Sequence, residues 1–129
     1  MIEATQRQAG IAACLFAGTA VLAGAFATHA LRDRLAPEAI AIWHTAVDYQ
    51  FWHALALLGL ACLSRQVAPT TLRLALRAFV AGIILFSGSL YALSLGAPRW
   101  IGTLTPFGGL AFLVGWVCLL VFLVRSRIH

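Results

Sequence analysis

His53 stands in a long apolar stretch, preceded by Tyr49 and Gln50 in the run Thr45-Ala46-Val47-Asp48-Tyr49-Gln50-Phe51-Trp52-His53. Positions three and four apart share a helix face. An imidazole, a phenol and an amide are therefore offered to one neighbour. Such a set can relay a proton, hold a ligand or tie helices together by hydrogen bonds. Matching hydroxyls come from Ser87, Ser89 and Tyr91 in Leu85-Phe86-Ser87-Gly88-Ser89-Leu90-Tyr91. Counting inward from the ends of the apolar runs puts Ser89 about 9 Å deep, level with Gln50 and His53. The expectation is a hydrogen-bonded cluster of Gln50, His53 and Ser89, joined by Tyr49, in the outer half of a membrane.

A second set could hold a metal. His44 and Asp48 are one helical turn apart, and His29 closes the first apolar run on the same side. Two imidazoles and a carboxylate suit a divalent cation. The competing reading is an interfacial His–Asp pair, with Trp43 and Trp52 as belt residues at headgroup level. Haem held by His29 and His53 would need ligands at one depth, whereas antiparallel helices leave them about 13 Å apart. No serine has a base at triad spacing, and the glycines form neither a P-loop nor a dinucleotide fingerprint. No soluble-type catalytic site is expected.

The elements that carry these residues follow from composition. The 129 residues are 62% hydrophobic and 10% charged, with mean hydropathy +0.93. Soluble domains carry roughly 45–50% apolar and about 25% charged residues, so lipid is the expected solvent. Charges leave four free intervals, 8–31, 49–64, 78–98 and 100–124. A spanning helix needs roughly 20 residues. The second interval is short, but Pro37-Glu38 makes a good helix start ahead of it. The reading is one all-α domain, a four-helix transmembrane bundle with helices at about 8–28, 37–63, 71–95 and 105–125. A threonine of Thr70-Thr71 should cap the third helix, and Thr105 with Pro106 the fourth. Ala25-Phe26-Ala27 resembles a signal cleavage site, but the run before it is longer than a signal core. It is expected to remain as a span.

Small residues should mark the packing faces, because close backbone approach drives helix pairing in lipid. Gly82 and Gly88 belong to the third helix, and Gly108, Gly109 and Gly115 to the fourth. The same stripes could join copies in a homo-oligomer. Cys14, Cys62 and Cys118 lie apart in apolar runs and read as small buried hydrophobes. The net charge of +5 comes from nine arginines and no lysine, all at the ends of apolar runs. Anionic lipid headgroups, not nucleic acid, are the expected partner. Arg7, Arg65, Arg73, Arg77, Arg125 and Arg127 fall on one side, and Arg32, Arg34 and Arg99 on the other. That asymmetry predicts both termini in the cytoplasm.

Four motifs in order resemble one known family. They are Gly24-Ala25-Phe26 with His29, Thr45-Ala46-Val47 with Tyr49-Gln50 and His53-Ala54-Leu55-Ala56-Leu57, the Leu85–Tyr91 run, and Thr105-Pro106 with Gly108-Gly109 and Gly115-Trp116. They resemble the YgdD-like family, also called domain of unknown function 423 or the transmembrane protein 256 family. The resemblance implies a small multi-pass protein of the bacterial inner membrane, or of organelles in eukaryotes, and brings no established activity. The family's first motif usually reads Gly-Ala-Phe-Gly-Ala-His, whereas Ala27-Thr28 precede His29 here. The resemblance favours His29 and His53 as motif positions and leaves His44 outside.

The functional expectation is a non-enzymatic accessory, assembly or helix-interaction protein without a cofactor, partnered by membrane lipid and by further copies of itself or a larger membrane complex. The alternatives are an oligomeric transporter or channel lined by Tyr49, Gln50, His53, Ser87 and Ser89, and a metal- or haem-binding membrane protein.

Overall fold

The computed structural model describes residues 3–64 and 69–126. Among the described residues there are four helical spans: α1 (Ala4–Leu31), α2 (Pro37–Leu63), α3 (Thr70–Ser94) and α4 (Arg99–Arg125). At 1.5 Å per residue each is about 38–42 Å long, enough to cross hydrocarbon and both interfaces. Arg65 and Arg127, two of the six arginines expected on the cytoplasmic side, lie outside the described residues.

Helix starts follow local chemistry. Glu3 caps α1 by accepting from the Gln6 backbone N–H at 3.1 Å. Pro37 opens α2 at its first position, where a missing N–H costs nothing. The caps expected from threonines do not form. Pro69 is the N-cap residue of α3, and a 3₁₀ turn over Arg99–Thr103 leads into α4, whose α-helical part begins at Leu104. Pro106 then falls in the first turn, where its lack of a donor is tolerated. α3 ends in a Schellman motif. Gly96, at φ +95°, donates to Leu93 O at 3.1 Å, and Ala97 donates to Ala92 O at 3.0 Å.

Two spans contain a π-helical turn, Ala27–Leu31 in α1 and Ile83–Ser87 in α3. Each admits one extra residue into the helix, a device common at functional sites. Neither is visible in the apolar pattern.

α1 packs mainly on α2 and α4 mainly on α3, while α2 and α3 join the two hairpins. In their most apolar stretches α2 and α3 bury 39% and 44% of residues, against 17% for α1 and for α4. The outer helices therefore turn most of their surface outward, and that surface carries Ile11, Leu15, Val21, Leu22, Leu110, Leu113, Val117 and Leu120. Such a surface belongs in lipid. Cys14 of α1 and Cys62 of α2 are exposed too, not buried as expected, and Cys118 is half-buried.

The α3–α4 seam alternates large against small. Phe79 lies on Gly115, Phe112 on Gly82, and Phe86 on Gly108. The steps match in antiparallel register, three residues from 79 to 82 against 115 to 112, then four from 82 to 86 against 112 to 108. A Cβ on Gly115 would come 2.6 Å from the Phe79 ring, and one on Gly108 would come 2.7 Å from the Cα of Phe86. These three glycines serve packing within the chain. Gly88 and Gly109 do not: a Cβ meets nothing within 4 Å at Gly88, and at Gly109 only the Phe86 ring at 3.8 Å.

Candidate functional site

Gln50 is the central residue of α2, and His53 lies about 4.5 Å beyond the centre, toward the end that carries the chain termini. Both therefore sit deeper than the outer-half position expected. Both are buried, 6% and 5% exposed. At that depth no water is available to their polar atoms, so each must find partners inside the bundle.

Gln50 finds them on two helices. Its amide nitrogen donates to Phe16 O at 2.9 Å and to Thr19 Oγ1 at 2.8 Å on α1. Its oxygen accepts from the Tyr91 hydroxyl on α3 at 2.7 Å. Thr19 passes its own proton to Leu15 O at 2.7 Å. The Tyr91 ring packs edge-on against Trp43, centroids 4.6 Å apart, and the Trp43 indole donates to Ala23 O at 2.8 Å. Trp43 is thus a buried strut between α1 and α2 instead of a belt residue. Trp52 is exposed, but past the centre of α2 and away from headgroup level.

His53 looks the other way, toward α4. The Trp116 indole donates to its Nε2 at 3.1 Å. An indole N–H can only donate, so Nε2 carries no proton. Nδ1 then holds the ring's N–H and donates to Tyr49 O at 2.8 Å. The imidazole is the neutral Nδ1–H tautomer with both nitrogens engaged. It stacks on Phe112 at 3.6 Å between centroids, with Phe79 at 5.7 Å and Tyr49 at 6.1 Å around it.

The serines divide between neighbours. Ser87 donates to Ala46 O at 2.7 Å and Ser94 to Ala39 O at 2.6 Å, both on α2. Ser89 donates back to Phe86 O at 2.9 Å, or shares a 2.6 Å bond with Thr105 of α4. Gln50, His53 and Ser89 do not form one cluster. Gln50 binds α1 to α2 and α3, His53 binds α2 to α4, and Ser89 binds α3 to α4. Gln50 and His53 point only about 60° apart around α2, but each has a helix of its own to meet, α1 and α3 for Gln50 and α4 for His53. Among the described residues, Ser64 Oγ is the one buried side-chain polar atom without a hydrogen bond.

His29, His44 and Asp48 are exposed and do not converge. Among the described residues no three His, Cys, Asp or Glu side chains come together to hold a metal. His29 and Asp48 line one groove between α1 and α2, but His44 is not part of its wall. His53 has no ring nitrogen left for a haem iron. These donor sets do not fit the metal or haem reading.

Two partners were missed from the sequence, Thr19 and Trp116. Both carried a signal. Thr19 is the only nitrogen- or oxygen-bearing side chain between Ala9 and Ala27, and Trp116 the only one between Pro106 and Val124. A lone polar group on an apolar span has to pair with a polar group of another span.

The fold and this internally bonded core define a four-span integral membrane protein. The chain belongs to the family described as Protein of unknown function (DUF423), whose model matches residues 23–109. It is 38% identical over 107 residues to the UPF0382 membrane protein YwdK of Bacillus subtilis, covering 82% of this chain and 87% of that one. It is 42% identical over 107 residues to a UPF0382 membrane protein of Haemophilus influenzae, covering 83% and 86%. It is 38% identical over 112 residues to the UPF0382 inner membrane protein YgdD of Escherichia coli, covering 83% and 82%. No solved structure matches.

Proposed function

We propose that this chain is a non-enzymatic accessory or assembly protein of the bacterial inner membrane, with both termini in the cytoplasm, acting through contacts between its helices and those of another protein. The observation that supports this reading most is the way the polar interior is used up. Both ring nitrogens of His53 and both amide protons of Gln50 are bonded within the bundle. Nothing at those two residues remains to bind or turn over a substrate. A conduit is disfavoured for the same reason, since Phe79, Phe112 and Trp116 crowd His53 on the sides away from α2. The inner-membrane placement is supported by the name of the Escherichia coli relative. The orientation is supported by the excess of arginine at the end bearing the termini.

The test is extraction of the tagged chain, at native expression, with a styrene–maleic acid copolymer. Sizing and mass spectrometry should then find a reproducible complex of fixed stoichiometry. Recovery of a lone 13.8 kDa chain from cells in every growth condition would overturn the reading.

A further inference from the structure

The groove between α1 and α2 faces outward and has a volume of about 480 Å³. Ala20, Val21, Gly24 and Phe51 make most of its wall apolar, Thr28 and His29 add polar groups, and Asp48 is the one carboxylate in it. A smaller cavity of about 80 Å³, lined by Cys14, Ala17, Leu55 and Leu58 among others, lies along the same helix pair. On α1 the series Cys14, Ala17, Val21, Gly24, Thr28 advances by alternate steps of three and four. So does Asp48, Phe51, Leu55, Leu58 on α2. Each series keeps to one face, so the two cavities lie in line along the α1–α2 seam, hereafter the channel. It runs about 21 Å from Cys14 to Thr28.

Asp48 is out of place in that channel. It lies eleven residues after Pro37, about 16 Å along α2 and so about 11 Å inside the hydrocarbon of a centred span. It is exposed there and takes no part in the bonds that satisfy Gln50, His53 and Ser87. No arginine occurs at residues 8–31 or 35–64, and there is no lysine in the chain. His29 lines the same groove but makes no hydrogen bond to Asp48. Neither α1 nor α2 supplies an arginine or lysine at this depth. In a second copy of the same orientation, Arg77 of α3 would lie about 10 Å further toward the other face. A lipid chain filling the channel would leave the carboxylate against hydrocarbon, which is costly.

We propose that the α1–α2 channel docks a transmembrane helix of a different protein, and that this helix carries one basic side chain that meets Asp48. The small side chains of α1 let the incoming backbone approach closely, and the length of the channel matches several helical turns. This deepens the accessory reading above and rests on it.

Cys14 lies in the channel and serves as the reporter. The chain is prepared with Cys62→Ser and Cys118→Ser and placed in lipid nanodiscs. The probe is a Leu/Ala transmembrane peptide with one Lys and one Cys ten residues apart. That is the separation of Asp48 from Leu58, which lines the same cavity as Cys14. Both chain directions of the peptide are used, each beside a twin with Leu in place of Lys. Mild oxidation should form the Cys14 disulfide at least about tenfold faster with the Lys peptide in one direction, a difference of about 1.4 kcal/mol. Asp48→Asn should erase that preference and Asp48→Glu should keep it. Equal rates for the Lys and Leu peptides, or a preference that survives Asp48→Asn, would overturn the proposal. So would a Cys14–Cys14 dimer that the Lys peptide does not displace, because a second copy would then own the channel. If the peptide is refused while the native chain still comes out in a fixed complex, the channel assignment falls and the accessory reading stands.

Discussion

Replacing Gly108 with alanine should weaken the bundle, whereas the same change one residue on, at Gly109, should not. The new methyl carbon at 108 would lie 2.7 Å from the Cα of Phe86, where ordinary contact begins near 3.4 Å. The obstacle is backbone, so α3 and α4 must part by about 0.7 Å or more. Phe86 cannot retreat easily. The next residue, Ser87, is tied to Ala46 O on the far side, and the Phe86 ring packs on Tyr49 at 4.4 Å and Phe112 at 5.5 Å. Overpacking of this kind costs about 1–3 kcal/mol. Alanine also gains about 1 kcal/mol of helix propensity over glycine, but both substitutions share that gain. Their difference should therefore be about 1–3 kcal/mol, with Gly109→Ala the more stable. Reversible unfolding in mixed dodecylmaltoside–SDS micelles, followed by tryptophan fluorescence, measures it. Equal stabilities for the two variants would refute the claim that the seam is held by backbone contact at Gly108.

Gln50→Leu removes three interhelical bonds and should cost about 2 kcal/mol at about 0.6 kcal/mol each, read in the same titration; an unchanged midpoint would mean that the hub contributes nothing. Trp116→Phe keeps a ring but deletes the donor to His53, and should cost about 0.6–1.7 kcal/mol. In a His53→Phe background the same change should cost clearly less, which a double-mutant cycle would check. Gly88→Ala should be neutral or slightly stabilising, because a methyl there meets open space.

The four spans were legible because charges interrupt the apolar runs and length then fixes the count. α2 shows this well, with Pro37 and Leu63 bounding it as expected. The packing glycines were legible in part. Gly82, Gly108 and Gly115 each sit under a phenylalanine of the facing helix, while Gly88 and Gly109 fell outside the seam. Composition cannot separate the two kinds, since both are small residues on the same helix and the distinction is one of rotation. The polar residues were recognised but grouped wrongly. Depth along a helix follows from counting, but direction around it depends on neighbours, and the π turn at Ile83–Ser87 shifts that direction within α3. The groove at Asp48 was hidden for another reason. A carboxylate at residue 48 reads as interfacial beside Trp43 and His44, and only the packing of α1 on α2 shows it facing outward in a groove.

The widened turn of α3 lets one helix keep two sets of obligations. Phe79, Gly82, Phe86 and Ser89 answer to α4, whereas Ser87, Tyr91 and Ser94 answer to α2. At the turn the chain shifts phase by one residue, which lets Ser87 reach Ala46 immediately beside a Phe86 pressed onto Gly108. The segment thus works as a phase adjuster between two hairpins. Drift in sequence on either side can be absorbed so long as that extra residue stays, whereas losing it would swing everything from Ser87 onward by about 100° and unfasten the two hairpins together.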